Sequence, residues 1–123
     1  MADDRITVRH TPSVDLGGIL GSINQVQVNG VCDFVRGIQV AQLALKHRQN
    51  KNQRQRIVAF VGSPIINEVK ELERLGKNLK KNNVSIDIVS IGTYEIEHNH
   101  EKIDKLYLFF FEIICWILFE QIL

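Results

Sequence analysis

At 123 residues with a formal net charge of +1, the chain has room for one domain with its own apolar core and lacks the strong positive field that draws a protein to nucleic acid. Its two cysteines, Cys32 and Cys115, have no CxxC or His-rich spacing around them, so they read as reduced thiols buried with their elements, and neither a disulfide framework nor a zinc site is expected. The opening MADDRITVRH lacks the apolar stretch of a secretory signal and carries acids that transit peptides avoid, which points to an intracellular protein.

In chain order, Arg5 to His10 alternates Ile6 and Val8 with polar residues, the signature of a strand with one wet face. After the Thr-Pro-Ser turn, Thr11 or Ser13 is placed to cap a helix whose apolar positions are Leu16, Ile19, Leu20 and Ile23. Gly17, Gly18 and Gly21 lower its intrinsic stability, so packing must hold it. Asn24 to Gly30 reads as a connector ending in the Asn29-Gly30 turn, and Asp33 as the cap of a second helix. Ile38, Ala41 and Leu45 form one apolar side of that helix and Val40 and Ala44 the other, so it should be covered over most of its surface. Ile57 to Val61 (IVAFV) is a short strand without a polar face, as in the middle of a parallel sheet.

Gly62-Ser63-Pro64 then turns the chain into a third helix, with Ser63 as its cap and Pro64 at its first position. This corner matches neither GxxxxGKS nor GxSxG, so it reads as a cap in preference to a phosphate cradle or a nucleophile. Val69, Leu72, Leu75 and Leu79 give the helix one apolar stripe, and its lysines gather toward its end, where they suit the helix dipole. VSIDIVSI (Val84 to Ile91) is a second strand, and two strands separated by one helix make a βαβ unit with a parallel pair and a right-handed crossover.

Glu97 to Lys105 is polar and mixed in charge, as for a helix over the sheet. His98 and His100 flank Asn99 without the spaced second half of a zinc site and read as a solvated helix start. The run LYLFFFEIICWILFEQIL that follows has the length of a membrane span, but Glu112 interrupts it, at a cost of about 2.5–3.5 kcal/mol on insertion scales. It stands as a buried terminal strand or helix, a membrane anchor, or an ending foreign to the domain, and the last is preferred for the reason given below.

Between the second helix and IVAFV, Lys46, Arg48, Lys51, Arg54 and Arg56 place five positive charges, together with His47, within eleven residues that contain no acid. No aromatic ring is interleaved with them, as single-stranded nucleic acid would require for stacking. The run therefore reads as a solvated loop or a docking surface for an acidic protein partner, with Lys46, His47, Arg48, Gln49, Asn50, Lys51 and Arg54 as the candidate contact residues.

LALKHRQNKNQRQRIVAFVGSP (Leu43 to Pro64), with ITVRHTPSVDLGGIL before it and KNLKKNNVSIDIVSIG after it, resembles the von Willebrand factor A-like domain of the ubiquitin-receptor subunit of the 26S proteasome regulatory particle. The resemblance runs from Met1 and stops near Leu106, which divides the chain into a partial domain over 1–105 and a divergent apolar tail over 106–123. It implies a doubly wound α/β sheet serving as a noncatalytic scaffold between lid and base of the regulatory particle, in the cytoplasm and nucleus. Ubiquitin capture belongs in that family to interacting helices beyond this domain, and 106–123 lacks their pattern, so polyubiquitinated substrates are expected to be met only indirectly.

Members of the wider class hold Mg²⁺ with a first-strand Asp-x-Ser-x-Ser, a later threonine and an aspartate after the fourth strand. On this chain the resemblance places Arg36 at the threonine-or-alanine position and Gly62-Ser63-Pro64 at the aspartate corner, so no metal and no cofactor are expected. It also aligns Met1 inside the second core strand, which leaves out the central first strand, bares an edge of IVAFV and predicts a chain of low solubility when made alone. A nucleotide-binding doubly wound domain and a membrane-tethered fragment are the competing functional readings.

Overall fold

The computed structural model describes residues 5–27, 30–91 and 99–108. Glu97, His98, Cys115 and the run from Phe109 onward lie outside the described residues, and with them the expectations placed on the His-x-His pair and on most of the apolar tail. In chain order the elements are α1 (Leu16–Asn24), α2 (Phe34–Lys46), β1 (Gln55–Val61), α3 (Val69–Lys81) and β2 (Val84–Ser90). Residues 99–108 are helical and are called α4.

The centre of the fold is the expected βαβ unit. β1 and β2 pair in parallel, with Gln55 opposite Val84 and Val61 opposite Ser90. α3 makes the crossover, and its Leu72, Leu75 and Leu79 are buried. Glu68 caps it from just outside, with the Glu68 N–H donating to Glu71 Oε2 at 3.3 Å, and Lys80 and Lys81 lie in its last turn. It ends at Asn83, whose φ of 54° lies in the left-handed region that asparagine tolerates better than most residues. Phe34 and Ile38 of α2, Ile57 and Val61 of β1, and Val84 and Ile86 of β2 close the core with these leucines, joined by Ile65 and by Leu106 of α4.

The sequence reading needs correction at three places. Residues 5–10 form no strand in the described structure, because no neighbouring strand accepts their backbone. The cap of α1 is Asp15, whose carboxylate accepts from the Gly18 N–H at 3.1 Å, while Ser13 Oγ accepts from the Asp15 N–H one step upstream. A Cβ at Gly18 would stand 2.6 Å from Asp15 Oδ2 and 2.9 Å from His10 Nε2, so the ends of these two side chains would have to shift to admit it. α3 begins at Val69 and not at Pro64, because Ile65 and Asn67 turn inward before the helix can start. Within the described two-stranded sheet β1 has the bared edge that the sequence reading expects, with Ile57 and Val61 covered and Val58 and Phe60 exposed.

α1 contributes no buried residue, and α2 buries only Phe34, Val35 and Ile38, a narrower covering than its two apolar sides suggest. Asp33 caps α2 as expected, accepting from the Arg36 N–H at 3.2 Å and pairing with the Arg36 guanidinium at 3.3 Å. Leu79→Ala removes a wholly buried side chain and is expected to cost about 2–5 kcal/mol in urea denaturation, while Leu43→Ala, on an exposed position of α2, stays within about 0.5 kcal/mol.

Candidate functional site

Two loops stand at opposite ends of β1. Residues 62–68 leave its carboxyl end, where doubly wound sheets commonly keep their sites, and residues 47–54 lead into its amino end. The first loop is occupied by the protein itself. Asn99 of α4, 2% exposed, accepts from the Ile65 N–H at 2.8 Å through Oδ1 and donates to the Ser63 carbonyl at 3.0 Å through Nδ2. Lys102 Nζ donates to the Ile65 carbonyl, so both backbone groups of Ile65 are held by α4.

Asn67 does the same work on the other side of the loop. Its Oδ1 accepts from the Val35 N–H at 3.3 Å, and its Nδ2 donates to Asp33 Oδ1 at 3.1 Å and to Glu71 Oε2 at 3.3 Å. The starts of α2 and α3 are thus tied through one amide, and the two carboxylates share a donor. Among the described residues no group of three or more His, Cys, Asp or Glu is placed to hold a metal ion. Ser63 presents its carbonyl to Asn99 and lies outside α3, so it does not act as the expected helix cap.

The second loop carries the seven candidate contact residues. Lys46 ends α2, and the His47 N–H closes the helix on the Ala44 and Leu45 carbonyls. Arg48 is half-buried and shapes the loop: Nη1 donates to the Leu45 carbonyl at 3.1 Å and Nη2 to the Lys51 carbonyl at 2.8 Å. Asn50 Oδ1 accepts from the Asn52 N–H at 3.0 Å. Lys46, His47, Gln49, Lys51 and Arg54 are exposed. A shallow cleft of about 330 Å³ borders the loop, lined by Gln39, Gln42, Lys46, Arg48, Gln55 and Asn82.

The structure therefore separates roles that the sequence run together. Arg48 and Asn50 hold the loop, while Lys46, Lys51 and Arg54 present charge to solvent. Arg56, the last of the basic run, belongs to the sheet: its guanidinium bonds Asp87 of β2, and that hydrogen bond and then the charge attraction raise its pKa above the ordinary arginine value. Asn67, Asn99 and Tyr107, whose hydroxyl accepts from the Ile88 N–H at 2.9 Å, were not legible as functional or structural anchors. The trace that Asn99 leaves in the sequence is a polar residue at a position that a packed helix turns inward.

Residues 1–64 match the model of the von Willebrand factor type A domain. The chain is 52% identical over 106 residues to the 26S proteasome non-ATPase regulatory subunit 4 homolog of Arabidopsis thaliana, covering 86% of this chain and 28% of that protein. It is 53% identical over 97 residues to the 26S proteasome regulatory subunit rpn10 of Schizosaccharomyces pombe, covering 79% of this chain and 40% of that protein. The crystal structure of the SpRpn10 VWA domain superposes with a TM-score of 0.71 at 51% identity, over 81% of this chain and 52% of that one. The chain thus spans well under half the length of these two curated relatives.

Asn99→Ala leaves the Ile65 N–H and the Ser63 carbonyl without their partner in a buried site. It is expected to lower unfolding stability by about 1–3 kcal/mol, while His100→Ala, one residue along and exposed, changes it by less than about 0.5 kcal/mol; paired urea titrations read both.

Proposed function

Because the chain belongs to the von Willebrand factor type A domain family, and within it is about half identical to proteasome regulatory subunits, we propose that it is a noncatalytic docking module of the 26S proteasome regulatory particle, serving ubiquitin-dependent protein degradation in the cytoplasm and nucleus. The observation that carries this reading is the 52% identity to one such subunit over 86% of the chain. Its partners would be subunits of the lid and base, and polyubiquitinated substrates would be reached through other parts of the particle.

The basic loop is the contact surface this reading favours. Lys46, Lys51 and Arg54 are exposed, and none of them is in an ion pair among the described residues. The loop itself is held by Arg48, so its charges are presented from a shaped backbone and a partner need not order them at full entropic cost. An acidic protein surface is the matching chemistry, and charges at such a rim act mainly on association rate and register. The opposite loop, filled by Asn67 and Asn99, supports a structural use of the end of the sheet where a ligand would otherwise sit.

The test uses regulatory particles purified without their own copy of the homologous subunit, mixed with the tagged full-length chain and followed on native gels. Association of the chain is expected, and a chain that never joins the particle would falsify the functional reading. Lys46→Glu combined with Lys51→Glu and Arg54→Glu should weaken association about tenfold or more at low salt, with the difference shrinking as salt rises. If this variant binds like the parent chain, the loop is not the contact surface, whatever the module does.

A further inference from the structure

Neither residues 34–67 nor residues 74–86 contain an acid, and the fold brings parts of both stretches together at the amino end of the sheet. Gln55, the first residue of β1, donates through Nε2 to the Asn82 carbonyl at 3.3 Å, so the last turn of α3, with Lys80 and Lys81, stands beside the basic loop. The cleft of about 330 Å³ lies along this seam. α2 contributes Gln39, Gln42, Leu43 and Lys46, which share one face at three- and four-residue spacing, and they meet Arg48 of the loop there.

Arg48 gives the cleft an uncompensated charge. Its side chain is half-buried, Nη1 and Nη2 are spent on the Leu45 and Lys51 carbonyls, and Nε is buried without an acceptor. No carboxylate pairs with it among the described residues. A partly buried cation without a counter-ion attracts an anion more strongly than an exposed one does. The carbonyl ends of α2 and α3 also lie at this end of the sheet and would repel an anion, but they are occupied. Arg48 takes the Leu45 carbonyl, and Asn82 Nδ2 takes the Asn78 carbonyl at 2.8 Å.

We propose that this cleft seats an acidic segment of a partner protein, with a side-chain carboxylate drawn in beside Lys46 and Arg48 and the segment's backbone read by Gln39 and Gln42. The proposal rests on the docking reading above and gives that contact a seat next to the exposed loop charges. The side chains of Gln39 and Gln42 make no hydrogen bond among the described residues, and an amide offers donor and acceptor together, as a peptide backbone requires. A phosphodiester only accepts, and the guanidinium fork that would clasp it with two bonds is already used on carbonyls. Leu43, 56% exposed on the same face, offers an apolar contact between the polar ones. A cleft of about 330 Å³ lies at the low end of ligand-site volumes, the scale of a short peptide stretch.

The test titrates the full-length chain into fluorescein-labelled Glu-Glu-Leu-Glu-Glu-Leu, its Gln-for-Glu counterpart and a single-stranded oligouridylate, reading anisotropy at low salt with light scattering in parallel. The acidic peptide is expected to bind about tenfold or more tighter than its Gln counterpart. Gln39→Ala combined with Gln42→Ala keeps the charge and favours the helix, and should weaken peptide binding several-fold. Lys70→Glu, a charge reversal at the opposite end of α3, should leave it unchanged. The proposal is overturned if the acidic peptide binds no tighter than its Gln counterpart, or if the glutamine variant binds it like the parent chain. Oligouridylate that binds tighter and displaces the peptide also overturns it and assigns the cleft to phosphate, and self-association that the peptide cannot reverse assigns it to a second copy. Native gels with the glutamine variant separate this proposal from the docking reading. If the variant joins the particle as the parent chain does, the seat fails and docking stands; if even the parent chain never joins, docking fails and the peptide titration decides the seat.

Discussion

Two parallel strands cannot be joined by a tight turn, and this constraint organises the molecule. β1 and β2 lie side by side only because α3 carries the chain back over the sheet, and α3 stays on the sheet only because Leu72, Leu75 and Leu79 are buried there against Ile57, Val61, Val84 and Ile86. α2 packs into the same core with Phe34 and Ile38. Once the crossover is fixed, the two ends of the sheet acquire different characters. The carboxyl end of β1 receives a loop that has to bury backbone, and the amino end receives a loop that stays in water.

The buried loop is where polar groups matter most to the fold. Ile65 is sunk into the core, and its peptide groups must find partners away from solvent. Asn99 and Lys102 provide them from α4, and Asn67 ties the starts of α2 and α3 across the same region. An asparagine suits these positions because it offers donor and acceptor together without a charge to desolvate. The same substitution of structure for site chemistry explains why the position favoured for ligands in doubly wound sheets serves here to lock helices together.

On the outer side the structure is open. Val58 and Phe60 on β1, and Leu16, Leu20 and Ile23 on α1, show apolar surface to solvent. The solved SpRpn10 VWA domain shares this fold over 81% of the chain.

By itself the sequence determined the βαβ unit, the Asp33 cap and the charged loop. Those signals are local: the leucine stripe of α3, the apolar runs IVAFV and VSIDIVSI, and a cap one residue before its helix can each be read within a dozen residues. The likeness to a known domain was equally legible, because LALKHRQNKNQRQRIVAFVGSP is an unbroken string. Tertiary structure alone decided that Asp15 and not Thr11 or Ser13 caps α1, that α3 waits until Val69, and that Asn67 and Asn99 are buried. It also decided that residues 5–10 remain without strand pairing. The hydrogen bonds behind these outcomes at the 62–68 loop join residues 32 to 37 apart, and pairing of residues 5–10 depends on which strand is present beside them. Neither leaves a period in the sequence, since a long-range partner is chosen by the packed geometry and not by the residues beside it.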